Sequence, residues 1–517
     1  MRMNPSLITD FYKIGHIDQY APGVQTIFSN WTPRKIREPL ASRTNKVVVF
    51  GLQHFLMKHF IEAFNDDFFR LPKEIVINEY RNVIRQTLGI KNPRTDHFEK
   101  LHDLGYLPLA VYALPEGSRT SINVPHFVVY NTSDDFFWLP NFFETVISTE
   151  IWQASTSATI ALAYREILTK WAKKAGEDDL SFIDYQAHDF SMRGMGGLGS
   201  AVNSGMGHLT SFKGTDTIPS LLDAQKYYKL PLTVSSVPAS EHSIACSYTD
   251  TNEIEYFRRL LTDVYPNGLV SLVSDTWDLW KILTEFVPQL KNAIEVRDGK
   301  VVFRPDSGNP EHILCGEPLI DYYQVLVKDS IYDENNLPNY PNILNKVHPK
   351  YYGVLRILAH VMGTTIDRGS KLPMLNKVGA IYGDAITLDV ADNILRRVVE
   401  ELELSPFNVV LGVGSYTYQY NTRDTLGFAM KATAMKRNGE IVPMFKDPIT
   451  DSGLKKSRKG ILAVYESEFA GEYIVKENAT LEELQNCAFN LVFMNGEMRY
   501  TQTMDEIRER LNPKESV

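Results

Sequence analysis

From about residue 180 onward, short apolar or β-prone runs alternate with helical patterns, and each run ends in a small polar cluster. The clusters are His188 to Arg193, Lys213 to Asp216, Glu241-His242, Ser274-Asp275, Arg304 to Gly308, Gly383-Asp384 and Gly412 to Ser415. Between them the helical faces are readable. Ile254, Phe257, Leu261 and Val264 share one, ended by Pro266-Asn-Gly268; Leu279, Ile282, Leu283, Phe286 and Leu290 share another. Ile394, Leu395, Val398, Val399 and Leu402 make a third, stopped before Pro406. A strand, cluster, helix rhythm repeated about seven times predicts an irregular TIM-like α/β barrel over 181–424, with its chemistry at the C-terminal ends of the strands. Residues 1–180 and 425–517 do not keep that rhythm. They mix strand-like runs (Ala110 to Ala113, Phe127 to Tyr130) with helices such as Thr156 to Ala175, which predicts one flanking α+β domain built from both chain ends.

Composition fits this picture. With 517 residues and 44% hydrophobic content the chain is too long for one ordinary core, so two interleaved domains are expected. Lys+Arg 54 against Asp+Glu 63 gives a net charge of −9, which lacks the basic footprint of a nucleic-acid binder, so phosphate recognition must be local. The three cysteines, Cys246, Cys315 and Cys487, lie far apart without a C-x-x-C pair, as suits a reducing compartment. No leading apolar stretch or membrane-length segment is present, and a cytoplasmic location is expected, with no membrane partner.

The clusters carry the candidate chemistry. Arg304-Pro-Asp306-Ser-Gly308 places a guanidinium beside a carboxylate on a tight loop. It reads equally as a salt bridge capping a strand and as a grip on a phosphorylated sugar, with Arg on phosphate and Asp on hydroxyls or Mg²⁺. Gly383-Asp384 and Gly412-Val-Gly414-Ser415 close the last two strands, where barrels build phosphate sites from backbone N–H groups, though isolated glycines more often mark ordinary turns. Gly194 to Gly199 satisfies G-x-G-x-x-G, but residues 184–193 are too polar for the buried central strand of a dinucleotide fold; these glycines instead let a helix start near a ligand or pack closely. A lone histidine such as His242 is more often structural than catalytic, and the adjacent Glu241 does not decide between them. The runs Arg34-Lys35-Ile-Arg37 and Lys455 to Lys459 read as solvated faces, with a polyphosphate ligand as the competing reading. No Walker A loop, G-x-S-x-G elbow or metal-ligand spacing occurs, so no metal site is assigned.

Taken in order, the motifs resemble the nicotinamide phosphoribosyltransferase family, within the type II phosphoribosyltransferases. They are Thr9 to Lys13 with His16, Phe50 to Gln53, His188 to Phe190, Phe212 to Thr217, Ser236 to Ala239 with Glu241-His242-Ser243, Val273 to Asp275, Arg304 to Pro310, Thr422 to Asp424, and Phe445 to Pro448. The resemblance implies condensation of nicotinamide with phosphoribosyl pyrophosphate in NAD salvage, with ATP as co-substrate acting through a phosphohistidine at His242, oriented by Glu241. It implies a pyridine ring stacked between Phe190 and Tyr12 of a second subunit, each contact contributing ~0.5–1.5 kcal/mol. It places Asp216 on the amide, where a carboxylate accepts from NH₂ yet repels a nicotinate carboxylate by about 4 kcal/mol at ~4 Å and an effective dielectric of ~20. Arg193 and Arg304 become substrate-binding, Asp275 and Asp306 face the ribose–pyrophosphate–Mg²⁺ region, and Gly383, Asp384, Gly414 and Ser415 face phosphate and ribose. Mg²⁺ arrives through the pyrophosphate. Arg423, Lys431 and Arg34 become phosphate-facing cations, some reaching across a homodimer interface. Two departures stand out: Ser415 replaces a glycine of the family's phosphate loop, and extra sequence lies around 335–373. The alternatives are a nicotinate phosphoribosyltransferase, against which Asp216 speaks, and a non-catalytic binding protein on the same scaffold.

Overall fold

The computed structural model describes residues 3–233, 235–318, 348–383, 386–447, 457–469 and 471–512. Two sheets organise the chain. The first is parallel, with strands Ala187–Asp189, Val409–Val413, Val378–Tyr382, Val301–Arg304 and Val270–Val273 side by side in that order. These are short, Val- and Leu-rich runs largely out of water, as strands covered by crossover helices require. Parallel registration brings Asp189, Arg304, Tyr382 and Val413 to one edge, so the polar clusters that follow them share one face.

The hydrogen bonds form a five-stranded sheet rather than a regular closed barrel. Single-residue bridges extend its edges, Asp189 to Thr215 on one side and Ala239 to Ser271 on the other. The Thr215 N–H donates to the Ser235 carbonyl at 2.9 Å, joining the two extending segments. Full strands are missing there for a local reason. Pro238 has no ladder donor, and the helix Ile218–Tyr228, with Pro219 in its first turn, begins three residues after Thr215. The periodic helices are present as Glu253–Arg259, Val287–Glu295 and Leu388–Arg396, each joined to a wider π-type turn.

The second sheet is seven-stranded and antiparallel, in the order Glu440–Pro443, Ala429–Arg437, Val24–Thr32, Phe127–Asn131, Leu109–Ala113, Asn490–Met494, Glu497–Met498. Strands from both chain ends alternate in it. Helix Glu144–Ala175 runs behind, 32 residues long and starting well before the Thr156 suggested by the pattern. Its Ser/Thr-rich first half is a poor helix former, and tertiary bonds override that propensity. Ser155 Oγ donates to the Val48 carbonyl, and Thr159 Oγ1 accepts from the Val48 N–H at 3.0 Å. In the inserted sequence, helix Gly353–Met362 packs its buried Val354, Leu355, Ile357 and Leu358 against Pro310–Cys315 and strand Val378–Tyr382, and Thr364–Ile366 pairs with Pro373–Leu375. Residues 335–347 lie outside the described residues. Among the described residues no helix is long and apolar enough to cross a membrane.

Helix Leu198–Leu209 crosses the long helix so closely that a methyl on Gly207 would lie 2.6 Å from the Ala154 carbonyl oxygen and 2.8 Å from the Ala158 nitrogen. Both are backbone atoms, so nothing can yield cheaply. Thermal unfolding of Gly207→Ala should show a loss of about 1–3 kcal/mol, whereas Gly199→Ala, with open space around its added methyl, should stay within about 0.5 kcal/mol of the parent. Equal melting of the two variants would contradict this packing.

Candidate active site

At the C-terminal edge of the parallel sheet, Asp189 is fully buried and accepts four hydrogen bonds. Its Oδ1 takes the Ser191 N–H at 3.0 Å and Ser191 Oγ at 2.6 Å; its Oδ2 takes Thr217 Oγ1 at 2.8 Å and Thr215 Oγ1 at 3.1 Å. The Asp189 carbonyl also accepts the Asp216 N–H at 3.0 Å. One residue thus fixes the strand end that carries Phe190 and the loop that carries Asp216. His208, wholly buried, supports the same loop. Its Nε2–H donates to the Gly214 carbonyl at 3.0 Å, and its Nδ1 accepts from Tyr418 Oη at 2.7 Å. Burial pushes the imidazole down to about 4, which keeps it in this neutral form.

Asp216 itself is partly exposed. Its Oδ1 accepts from His188 Nε2 at 2.8 Å and from Ser236 Oγ at 2.5 Å. Burial alone would raise its carboxyl, but the His188 and Ser236 hydrogen bonds and the charge of Arg304 outweigh that and hold it below its ordinary value. Phe190 packs its ring against His188, centroids 4.7 Å apart, and lies over Gly412, where an added methyl would meet it at 2.8 Å. The same methyl would meet the Gly383 Cα at 2.8 Å, so Phe190, Gly412 and Gly383 form a continuous floor.

Across that floor stands a second carboxylate. Asp275, with its side chain 5% exposed, accepts from His242 Nε2 at 3.1 Å through Oδ1, and through Oδ2 from the Asp306 N–H at 2.8 Å and Ser307 Oγ at 2.6 Å. The hydrogen-bond partner of the imidazole is therefore Asp275 and not the adjacent Glu241. Glu241 caps the short helix His242–Cys246 in extended conformation and its carboxylate accepts from Ser243 Oγ instead. Arg304 donates to the Ser240 carbonyl at 2.8 Å, while its Nε is buried with no hydrogen-bond partner among the described residues. An uncompensated buried N–H invites an anionic ligand. Asp306 turns its carboxylate to Gly383, where a methyl would meet Oδ1 at 2.7 Å.

Gly414 precedes helix Ser415–Gln419, and the Ser415 side chain fills the space beside Gly194, where a methyl would overlap it. The glycines at 194–199 thus admit the Ser415 loop and start helix Leu198–Leu209. Arg193 is exposed and forms no hydrogen bond or ion pair with a described side chain. Asp384 lies outside the described residues.

The remaining candidates gather elsewhere. Arg34 and Lys431 line a cavity of about 540 Å³ on the antiparallel sheet, together with Arg458, Lys459 and Phe445. Burial lowers the Lys431 ammonium; Glu144 opposes that, and the charges of Arg34, Lys446 and Arg423 reinforce it. Arg458 is engaged by Glu477 at 3.1 Å. Tyr12 is 62% exposed, with its ring against His16, and the neighbouring Lys13 binds Glu144 at 2.5 Å. Tyr12 and Phe190 form no ring pair within one chain, and no described hydrogen bond or ion pair joins this group to the Asp216–His242 group. Sequence reading gave no role to His188, Asp189, Ser236 or Ser307. Their signal lay in His188 to Arg193, Ser236 to Ala239 and Arg304 to Gly308, but the pairings span 20 to 32 residues and need the fold to appear.

Asp189→Asn keeps the shape and removes one acceptor oxygen, leaving an NH₂ against hydroxyl donors. It should cost about 1–3 kcal/mol of stability and raise KM for the ring substrate more than for the phosphorylated one. Equal effects on both would count against its support of the Phe190–Asp216 corner.

The profile described as the nicotinate phosphoribosyltransferase (NAPRTase) family matches residues 185–490, and that of the nicotinamide phosphoribosyltransferase N-terminal domain matches residues 4–85. The chain is 43% identical to a nicotinamide phosphoribosyltransferase of Acinetobacter baylyi, covering 99% of this chain and 97% of that one. It is 31% identical to one from Mycoplasma genitalium, over 88% and 94%. Among solved structures, human nicotinic acid phosphoribosyltransferase aligns with a TM-score of 0.53 at 16% identity, covering 98% of this chain and 93% of that one. A nicotinate-nucleotide pyrophosphorylase from Pyrococcus furiosus aligns at 0.52 and 15%, over 98% and 95%. At such identities these two speak to the fold alone, that of a mixed α/β protein. On the sequence matches, the chain belongs to the nicotinamide phosphoribosyltransferase family of enzymes.

Proposed function

We propose that this chain condenses nicotinamide with 5-phosphoribosyl 1-pyrophosphate, giving nicotinamide mononucleotide and pyrophosphate, and that ATP stimulates the reaction by phosphorylating His242. The observation that carries the reading is Asp216. Both of its protein donors converge on Oδ1, which leaves Oδ2 to accept from a carboxamide NH₂. Phe190 supplies one face of the ring clamp. Arg304, with its unpartnered Nε, suits the sugar phosphate, and Asp306 is the carboxylate open to the pyrophosphate. Mg²⁺ enters on the pyrophosphate and neutralises it. The pyridine nitrogen attacks C1 as the pyrophosphate departs, and an oxocarbenium-like transition state is served by preorganised charge more than by a strong base.

For His242, Asp275 accepts the Nε2 proton, so Nδ1 carries the free lone pair on a side chain 44% exposed. Nδ1 forms the bond to the terminal phosphorus of ATP as the bond to ADP breaks, and Asp275 balances the charge on the ring. Because Asp275 also holds the Asp306 loop, a phosphoryl group on His242 acts on the loop that faces pyrophosphate.

Two further readings belong here. The bridges at Thr215 and Ala239, the Thr215–Ser235 hydrogen bond and a cavity of about 370 Å³ lined by Ser271, Val302, Ile381 and Val410 favour an irregular barrel over 181–424, beside a domain of 1–180 and 425–517. Among the described residues Tyr12 makes no ring pair with Phe190, and no hydrogen bond or ion pair joins Arg34, Lys431 or Arg423 to Asp216, which favours a homodimer in which each chain completes the other's site. The three free cysteines suit the cytoplasm.

Product analysis with nicotinamide, phosphoribosyl pyrophosphate and Mg²⁺ should yield nicotinamide mononucleotide; a preference for nicotinate of about tenfold or more would assign the chain to the nicotinate branch, and absence of product would assign it to binding. His242→Ala should keep slow synthesis and lose the ATP enhancement. Stimulation that persists in that variant excludes the phosphohistidine.

A further inference from the structure

His188 lies where two regions meet. Its ring packs against Phe190 and lies close over Gly214, where an added methyl would stand 2.8 Å from Nδ1. With Ser236 it forms part of the wall of the largely apolar cavity inside the parallel sheet. From there its Nε2–H reaches Asp216 Oδ1 at 2.8 Å, and Ser236 Oγ reaches the same oxygen at 2.5 Å. A carboxylate accepts only, so the imidazole must present its Nε2 proton. The Asp216 backbone N–H is fixed on the Asp189 carbonyl at 3.0 Å. Main chain and one oxygen are thus anchored, and rotation about the last side-chain bond is blocked.

We propose that His188 is a specificity-determining residue: together with Ser236 it pins Oδ1 of Asp216, so that Oδ2 is presented at one fixed place to the substrate. A fixed acceptor rewards a carboxamide NH₂, and the same fixed charge repels a carboxylate; a freely rotating carboxylate would do both less well, because it could swing from the repulsion. This rests on the assignment of Asp216 to the amide of nicotinamide. His188 touches no reacting atom in this role and acts through Asp216. It also abuts the Phe190 ring, so one side chain sets the distance between the stacking surface and the amide acceptor.

The test is steady-state kinetics on the full-length enzyme with nicotinamide and with nicotinate, at saturating phosphoribosyl pyrophosphate and Mg²⁺. His188→Leu should lower the ratio of the two kcat/KM values by about tenfold or more, chiefly through KM for nicotinamide, with KM for phosphoribosyl pyrophosphate within about twofold. His188→Gln returns an N–H donor at similar reach and should restore the ratio to within about threefold of the parent. The exposed Ser236→Ala, which leaves the fold alone, should move the ratio in the same direction by about threefold and keeps the test decisive if the leucine variant is insoluble. A parent-like ratio in His188→Leu, or in Ser236→Ala where the former cannot be made, overturns the proposal. Asp216→Asn separates the two layers. If it leaves the ratio untouched, the amide assignment itself fails; if it abolishes selectivity while His188→Leu does not, only the role of His188 fails.

Discussion

The structure depends first on the buried carboxylate of Asp189. An ionised carboxyl with no access to water is tolerated only when its oxygens are filled by donors, and here three hydroxyls and one backbone N–H fill them. Each donor comes from a segment that has to be placed: Ser191 from the turn after Phe190, Thr215 and Thr217 from the loop either side of Asp216. Removing the charge or a donor would leave the rest of the set unmatched, so the four contacts stand together. The close packing around them follows. Gly205 lets helix Leu198–Leu209 approach until an added methyl would be 3.2 Å from Asp189 Oδ2, and Gly207 lets that helix sit on Ala154 and Ala158. The substrate-facing corner is stiff because its anchor is buried and satisfied.

What the sequence discloses and what it hides divide along the range of the interaction. The three apolar stripes between residues 254 and 402 depend on spacing within a single helix, and they appear as helices near the expected places. The parallel strands were legible too, since a Val-rich run flanked by polar clusters has few other uses. Long-range terms were not legible. Nothing local indicates that Thr215 and Ala239 bridge the sheet by one residue each, or that a Ser/Thr-rich stretch from Glu144 becomes helix because Val48 takes up its hydroxyls. The site shows the same division. Glu241 adjoins His242 in sequence, but a residue at a helix start points away from its successor, and the partner of the imidazole is Asp275, 33 residues on. His188 was visible as part of a polar strand end, yet its meaning lies in Asp216, 28 residues away.

Charge is distributed in a way that a single chain leaves unfinished. The parallel-sheet edge carries the carboxylates of Asp216, Asp275 and Asp306 together with two guanidinium groups, the exposed Arg193 and Arg304, whose Nε is buried without a partner among the described residues. Arg34, whose Nε donates to the Gly427 carbonyl at 3.0 Å, and Lys431 line a separate cavity on the antiparallel sheet, where the charge of Arg34 helps burial to lower the Lys431 ammonium. A polyphosphate would relieve that repulsion, whereas at the Asp216–Asp275 edge alone it would meet mostly negative charge. The Arg34–Lys431 pair and these carboxylates are thus segregated on the two sheets of the chain.

The two carboxylates that define the edge are used in opposite ways. Asp216 has both donors on one oxygen and keeps the other open, an arrangement suited to recognising an uncharged amide. Asp275 has donors on both oxygens and links the imidazole of His242 to the backbone of Asp306 and the hydroxyl of Ser307. The imidazole and the Arg304–Gly308 loop therefore share one carboxylate. The two hydrogen-bond sets, Asp216 with His188 and Ser236 and Asp275 with His242, Asp306 and Ser307, share no side chain, and Arg304, whose charge lowers the Asp216 carboxyl, is the electrostatic link between them.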